Sequence, residues 1–385
     1  MTNDLAAAVR RAAQALRVSD VTSATNLIQD ALFRRPSEPV PETPDRQRKA
    51  APQPSRPPLS GFPRRPLRDV LAALSQHKKV TGAFGALSAR TVRASPPVAD
   101  GARFLSRSFT CAAGTRAFKL YIPASVSRGE AAQGLIVMLH GCRQDSNDFA
   151  VGTNMNAQAD KHDLIVAYPE QSGAANPSAC WNWFRPSDQN RDAGEPSIIA
   201  GVTRSLVAEY ALDPTKVFVA GLSAGGAMAV VMGETYPDLY TGVGVHSGLS
   251  YRSATDVVSA FAAMRGDVQP AWPSMVDAST SRHRPSRTIV FHGTADQTVH
   301  PMNAGQIVEA ARRAAGDLER QERGLAQGRS YTQTVTSGPD GTTFVECWLI
   351  DGAGHGWSGG SAAGSFTDQK GPAASAEMVR FFLKQ

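Results

Sequence analysis

The chain has 385 residues, of which 42% are hydrophobic and 19% are charged. This balance allows a sizeable core to form and excludes wholesale disorder. The formal net charge is +6, but residues 1–100 alone carry 16 Lys and Arg against 8 Asp and Glu, so the remaining residues are slightly acidic and do not indicate a nucleic-acid-binding domain.

The first predicted elements lie in a basic N-terminal extension. Residues 1–33 place apolar side chains at helical spacing, which predicts two short helices. Residues 34–102 form a predicted linker with one short helix at RDVLAALSQH, and the stretch from Arg34 to Arg68 carries 10 of the 25 prolines. Such a segment stays extended and cannot build a core. We expect residues 1–68 to contact a granule or a protein partner, with a helical hairpin within residues 3–33 that packs on its own chain as the alternative.

The start of the chain also bears on its location. The segment MTNDLAAAVRRAAQALRVSD does not resemble a signal peptide, because three arginines interrupt its apolar stretch. No apolar run approaches the length of a membrane span. These features predict a cytoplasmic or granule-associated protein, with an extracellular protein as the alternative. The four cysteines leave this open, because disulfides persist only in oxidising compartments.

After about Arg103, short apolar runs alternate with helical stretches, and we predict one folded domain over residues 103–385. RSFTC and RAFKLYIP predict an opening antiparallel pair of strands. LIVMLH, DLIVAYP, KVFVAG, GVGVHSG, RTIVFHG and ECWLIDG predict six further buried strands. Continuous apolar runs between helices are typical of a parallel sheet that is covered on both faces. The sequence therefore predicts an α/β-hydrolase fold with a mostly parallel, eight-stranded sheet.

The segment VFVAGLSAGGAMAVVMGE interrupts a predicted strand with small residues around Ser223 and resumes as a helix. This pattern is typical of a nucleophile elbow, a strained turn that presents a serine hydroxyl at the edge of the sheet. A serine needs an adjacent base, which a carboxylate orients. On this fold the partners follow in the order Ser, Asp or Glu, His. That order predicts Asp296, after RTIVFHG, and His355, after ECWLIDG.

Three other residues compete for these two roles. Asp351 directly follows the last predicted strand, and His300 lies near Asp296, but neither fits the order of the strand ends as well. His246 ends the strand after the elbow helix, where we expect a histidine that packs in the core.

Two backbone N–H groups usually stabilise the oxyanion in this chemistry. One belongs to the residue after the nucleophile, here Ala224. The other comes from the loop after the third strand, here the region of Cys142 in LHGCRQ.

Five ordered motifs, LHGCRQ, CWNWF, GLSAGGAM, FHGTADQTVHPMN and GHGWSGG, resemble the poly(3-hydroxybutyrate) depolymerase-type esterase family. The resemblance covers about residues 104–385. It implies an α/β-hydrolase fold and a serine esterase that uses no cofactor, and we expect no metal site. It also implies that Ser223, Asp296 and His355 form the catalytic triad.

The resemblance further implies roles for two of the four cysteines. Cys142 would supply an oxyanion-hole amide, and a disulfide would join it to Cys180. A pairing of Cys111 with Cys347 is a weaker prediction, because it rests only on both residues lying in predicted strands.

The sequence therefore predicts a carboxylic-ester hydrolase that cleaves short-chain hydroxyacyl polyesters or oligomers through an acyl-serine. The first alternative is a feruloyl or acetyl-xylan esterase. The alternative of another class is a granule- or partner-binding protein that acts through its N-terminal extension. Trp181, Trp183 and Trp357 are candidates for an acyl or polymer groove, with packing in the core as their other reading.

Overall fold

The computed structural model describes residues 95–267, 286–312 and 318–384. The two helices predicted within residues 1–33, and the predicted linker up to residue 94, lie outside the described residues. Across the three described ranges, no helix is long and apolar enough to cross a membrane.

One sheet of ten strands forms the centre of the domain, in the order β1-β2-β4-β3-β5-β6-β7-β10-β9-β8. The strands are β1 (Arg103–Cys111), β2 (Gly114–Ile122), β3 (Gly134–Leu139), β4 (Leu164–Pro169), β5 (Val217–Leu222), β6 (Gly242–His246), β7 (Arg287–Gly293), β8 (Leu318–Ala326), β9 (Arg329–Ser337) and β10 (Thr343–Ile350). The six central strands run parallel, and the pairs at both edges run antiparallel. All eight predicted strands are present.

The predicted count of eight strands is wrong, because β8 and β9 form an additional hairpin at one edge. Their sequence lacks a continuous apolar run, and nearly all of their side chains are exposed or half-buried. The hairpin closes through Gln327 and Gly328, whose φ angles of 45° and 78° are typical of a tight hairpin turn. A polar edge strand gives no hydrophobic signal, so only this turn could have indicated the hairpin.

Helices cover both faces of the sheet, as the sequence predicts. The helices are α1 (Ala124–Ser127), α2 (Ser146–Thr153), α3 (Met155–His162), α4 (Gly194–Glu209), α5 (Ala224–Thr235), α6 (Val257–Met264), α7 (Met302–Arg312) and α8 (Ala374–Leu383). Side chains of α4, α5, α6 and α7 pack in the core on one face, and those of α2, α3 and α8 pack on the other. Because β5 is buried on both sides, its alternate residues enter both cores, which explains its unbroken apolar sequence.

The weaker prediction of a bond between Cys111 and Cys347 is wrong, since both cysteines are free. Cys111 ends β1 at the edge of the sheet, and Cys347 lies in β10 with six strands between the two. At about 4.8 Å per strand the separation is roughly 30 Å, far beyond the reach of a disulfide.

Candidate active site

The turn between β5 and α5 holds Ser223 in an unusual backbone conformation, with φ 56° and ψ −120°. A non-glycine residue reaches a positive φ of this kind only where its surroundings enforce it. A Cβ atom on Gly225 would collide with the carbonyl oxygen of Leu139, and one on Gly221 would collide with the main chain of Gly225. The glycines on each side of Ser223 thus let the turn pack directly against the end of β3.

Asp296 follows β7 and His355 follows β10, and their side chains meet. His355 Nδ1 donates a hydrogen bond to Asp296 Oδ2 at 2.8 Å. Asp296 Oδ1 accepts bonds from the amides of Thr298 and Val299, both at 2.9 Å. Because Nδ1 carries the donated proton, Nε2 is the imidazole nitrogen that keeps a lone pair. The pair is therefore arranged as a base with its orienting carboxylate.

The environment of Asp296 keeps its carboxylate ionised. Burial raises the pKa of Asp296, but the hydrogen bond and charge of His355 and the amide of Val299 outweigh burial and hold this pKa below its usual value. The charged form is thus the stable one at neutral pH, although the side chain is fully buried.

Ser223 and His355 line one cleft with a volume of about 420 Å³. Much of its wall is apolar and comes from Trp183, Phe184 and α6, including Phe261. The structure therefore brings all three predicted triad residues together at the carboxyl ends of the parallel strands. Their catalytic roles stay a prediction.

A disulfide joins Cys142 to Cys180, as the resemblance implies, across a sequence separation of 38 residues. Closing a loop of that length stabilises the folded state by about 4 kcal/mol in the chain-entropy view. The amide of Gly141 donates to Gln144 Oε1 at 3.0 Å, and that of Arg143 donates to Ser178 O at 2.8 Å. The disulfide and these bonds fix the loop on one side of the cleft.

The two predicted oxyanion-hole donors lie at suitable places. Cys142 lines the cleft. It lies between Gly141 and Arg143, whose amides donate to Gln144 and Ser178. Ala224 is the first residue of α5, where backbone N–H groups have no partner inside the helix. Their role as oxyanion-hole donors stays a prediction.

A buried polar network, which the sequence did not reveal, holds the segment Cys180–Phe184. Glu195 Oε2 accepts the amide of Asn182 at 2.7 Å, and Glu195 Oε1 accepts the Asn182 side chain at 2.7 Å. Glu195 also accepts a bond from Gln171, which donates to Cys180 O as well at 2.9 Å. Burial raises the pKa of Glu195. The available signal was a carboxylate in the first turn of α4, just before the apolar residues Ile198, Ile199 and Ala200.

Of the three candidate tryptophans, only Trp183 lines the cleft. Trp181 is fully buried beside His140, and Trp357 is 1% exposed and packs against Phe149. The prediction that Trp181 and Trp357 line a groove is therefore wrong. Both side chains pack in the core, where large aromatic rings bury much apolar surface.

The competing residues take other positions. His300 is exposed, and its Nδ1 accepts the amide of Met302 at 3.2 Å. Asp351 is exposed at the end of β10. His246 is 1% exposed and packs in the core, as the sequence predicts. Among the described residues, no group of three or more His, Cys, Asp or Glu side chains is arranged to hold a metal ion.

Comparison with known proteins identifies the family. The family model described as Esterase PHB depolymerase matches residues 116–328. The chain belongs to this PHB depolymerase esterase family. The match confirms the resemblance seen in the five motifs.

Relatives in the PHB depolymerase esterase family carry different names. Poly(3-hydroxyalkanoate) depolymerase C of Paucimonas lemoignei is 34% identical over 227 residues, which are 58% of this chain and 54% of that protein. Feruloyl esterase B of Neurospora crassa is 30% identical over 247 residues, 61% of this chain and 81% of that protein. The chain spans about half the length of the depolymerase.

A solved structure supports the fold of this family member. The acetyl xylan esterase from Aspergillus awamori superposes with a TM-score of 0.53 and 21% identity, covering 66% of this chain and 93% of that chain. Together with the parallel sheet and its two helical layers, this likeness confirms the α/β-hydrolase fold.

The cysteine arrangement predicts the outcome of thiol titration. Denatured, non-reduced protein should contain two free thiols, those of Cys111 and Cys347. In native protein Cys347 should react slowly, because burial raises the pKa of its thiol to about 12 and leaves little thiolate. Titration with and without denaturant, followed by peptide mapping, measures both. Four free thiols after preparation under oxidising conditions would contradict the Cys142–Cys180 bond.

Proposed function

We propose that the protein hydrolyses carboxylic esters, with short-chain hydroxyacyl polyesters or their oligomers as the substrate class. The observation that carries this proposal is the bond from His355 Nδ1 to Asp296 Oδ2 beside the strained turn of Ser223, at one apolar cleft. Membership of the PHB depolymerase esterase family supports it.

The arrangement performs this reaction through an acyl-serine. Ser223 Oγ attacks the ester carbonyl while His355 Nε2 takes its proton, and Asp296 stabilises the imidazolium that forms. The amides of Cys142 and Ala224 donate hydrogen bonds to the tetrahedral oxyanion. Collapse expels the alcohol, which receives the proton from His355. Water then attacks the acyl-serine by the same route, releasing the acid and restoring Ser223.

The cleft can hold a short hydroxyacyl oligomer. Its volume of about 420 Å³ lies in the range of small-molecule sites, and its apolar wall can bury the carbon chain of such an oligomer, at about 0.8 kcal/mol per methylene. A relative named poly(3-hydroxyalkanoate) depolymerase C supports the polyester as substrate.

A feruloyl or acetyl-xylan esterase is the second candidate. The similarity to a feruloyl esterase B, of which the chain covers 81%, favours it, and so do the aromatic side chains of Trp183 and Phe184 in the cleft. Contact with a granule or partner through residues 1–68 stays a prediction, because these residues lie outside the described ranges. The location of the protein also stays a prediction.

A comparison of substrates separates the two candidates. We expect kcat/KM for a 3-hydroxybutyrate trimer to exceed that for methyl ferulate by at least about tenfold, because differences in pocket fit are worth about 1–3 kcal/mol. Both rates should be measured on the same preparation, with acetylated xylan as the third substrate. A clear preference for methyl ferulate or acetylated xylan would favour the second candidate.

Removal of the nucleophile tests the chemistry itself. Ser223→Ala should lower kcat on p-nitrophenyl butyrate by about 10⁴-fold or more, because the remaining site offers only binding and oxyanion stabilisation. The substitution removes one hydroxyl, so the thermal unfolding temperature should stay close to that of the unchanged protein. A variant that keeps a substantial part of the activity would show that Ser223 is not the nucleophile.

Two carboxylates allow a matched test of the orienting residue. Asp296→Asn should lower kcat by about 10²- to 10⁴-fold. The backbone amides of Thr298 and Val299 hold the carbonyl oxygen, so the NH2 group faces His355 Nδ1, favours the wrong tautomer and supplies no negative charge. Asp351→Asn is the control, since Asp351 lies exposed at the end of the neighbouring strand. Its activity should stay within about twofold of the unchanged protein. If Asp351→Asn is the more damaging change, the orienting carboxylate is misassigned.

A further inference from the structure

His246 lies between the strands that carry Ser223 and Asp296, but it does not line the cleft. It is the last residue of β6, which lies between β5 and β7 in the sheet. The turn after β5 carries Ser223, and the loop after β7 carries Asp296. His246 is 1% exposed, so it does not face the substrate.

Two atoms of His246 hold two different loops. Its main-chain oxygen accepts the amide of Ser223 at 2.9 Å, which ties β6 to the nucleophile turn. Its ring Nε2 accepts the amide of Ser358 at 3.0 Å. Ser358 lies three residues after His355, in the short strand Trp357–Ser358 that ends the His355 loop and pairs with Thr367–Asp368. A single residue therefore bridges the turn of the nucleophile and the loop of the base.

The ring itself has little freedom to move. It stacks on Phe291 with centroids 5.9 Å apart and planes at 13°, and on Trp357 with centroids 5.3 Å apart and planes at 27°. Trp357 is anchored in turn by Ser375, which accepts its Nε1–H at 3.1 Å. These contacts aim Nε2 at the loop that carries His355.

The protonation state of the ring suits this task. Because Nε2 accepts the Ser358 amide, the ring proton lies on Nδ1, which donates to Ser247 Oγ at 3.2 Å. Burial, together with the charges of His292 and His355, lowers the pKa of His246 to about 3, and the opposing charge of Asp296 offsets only part of this shift. The ring thus stays neutral, and Nε2 stays an acceptor, throughout the pH range in which esterases are assayed.

We propose that His246 is a positioning residue, whose ring acceptor fixes the His355 loop relative to the Ser223 turn that its main chain holds. The catalytic part of this inference rests on the proposed function. Base and nucleophile must stand within hydrogen-bond reach, and a displacement of about 1 Å can cost about 10²-fold in rate. Loss of the acceptor releases the loop and moves His355, although His246 itself does not line the cleft.

Two substitutions separate the acceptor from the ring. His246→Phe keeps an aromatic ring between Phe291 and Trp357 but offers no acceptor to Ser358. His246→Gln loses the stacking but places an amide oxygen near the position of Nε2. Both keep the main-chain bond to Ser223. We expect His246→Phe to lower kcat on p-nitrophenyl butyrate by about 10- to 100-fold with KM unchanged within twofold, and His246→Gln to stay within about fivefold in kcat.

Tyr240→Phe is the control for a generic loss of a buried hydrogen bond. Tyr240 is fully buried, and its hydroxyl bonds to Thr203 at 2.6 Å, away from the cleft. This variant should lose thermal stability to a similar degree as His246→Phe but keep its kcat. Equal losses of kcat in His246→Phe and His246→Gln would overturn the acceptor role, as would a His246→Phe variant with unchanged kcat.

Amide hydrogen exchange tests the loop contact independently of activity. In the unchanged protein the Ser358 amide should exchange slowly, and in His246→Phe the peptide that contains Ser358 should exchange at least about tenfold faster. Fast exchange of Ser358 in the unchanged protein, or no change in the variant, would overturn the inference even if the variant folds poorly. If the unchanged protein hydrolyses no ester but the exchange result holds, the proposed function fails and the loop contact stands.

Discussion

The parallel register of β5, β6, β7 and β10 is the constraint on which the rest of the site depends. Parallel strands place their carboxyl ends on the same side of a sheet. The residues that follow these strands therefore become neighbours, although they are far apart in sequence. Ser223, Asp296 and His355 follow β5, β7 and β10 in this way. The packing of Gly225 against the end of β3 then leaves Ser223 in its strained conformation at that edge.

Buried polar groups maintain the geometry that the sheet sets up. Asp296 accepts two backbone amides besides the bond from His355, which fixes the carboxylate before any substrate arrives. On the other side of the cleft, Glu195 accepts hydrogen bonds from Asn182 and Gln171 and thereby holds the segment Cys180–Phe184. The disulfide joins this segment to the loop of Cys142. Satisfied groups of this kind are rigid because an unpaired partner would be costly in the low-dielectric interior. Buried hydrogen bonds thus fix the residues on both sides of the cleft, and the cleft between them remains open to a substrate.

The sequence predicted the central strands well because each is buried on both faces and reads as an unbroken apolar run, as β3 and β5 do. It missed the hairpin of β8 and β9, whose polar side chains at the sheet edge leave no hydrophobic pattern to detect. The same limit applies to Glu195 and His246. Each of these two residues acts through hydrogen bonds to residues that are distant in sequence. Ser358, which donates to the ring of His246, is 112 residues away along the chain.

By itself the sequence determined the fold class, the family and the order of Ser223, Asp296 and His355, because strand periodicity, turn residues and local motifs are written in consecutive residues. Only the tertiary structure decided which side chains reach the cleft. Trp181, Trp183 and Trp357 are all buried, yet of these three only Trp183 also lines the cleft. It also decided that Cys111 and Cys347 stay apart, whereas the family resemblance already implied the bond between Cys142 and Cys180. The physical reason is that burial, pairing and distance depend on the order of strands in the sheet, which differs from their order in the chain.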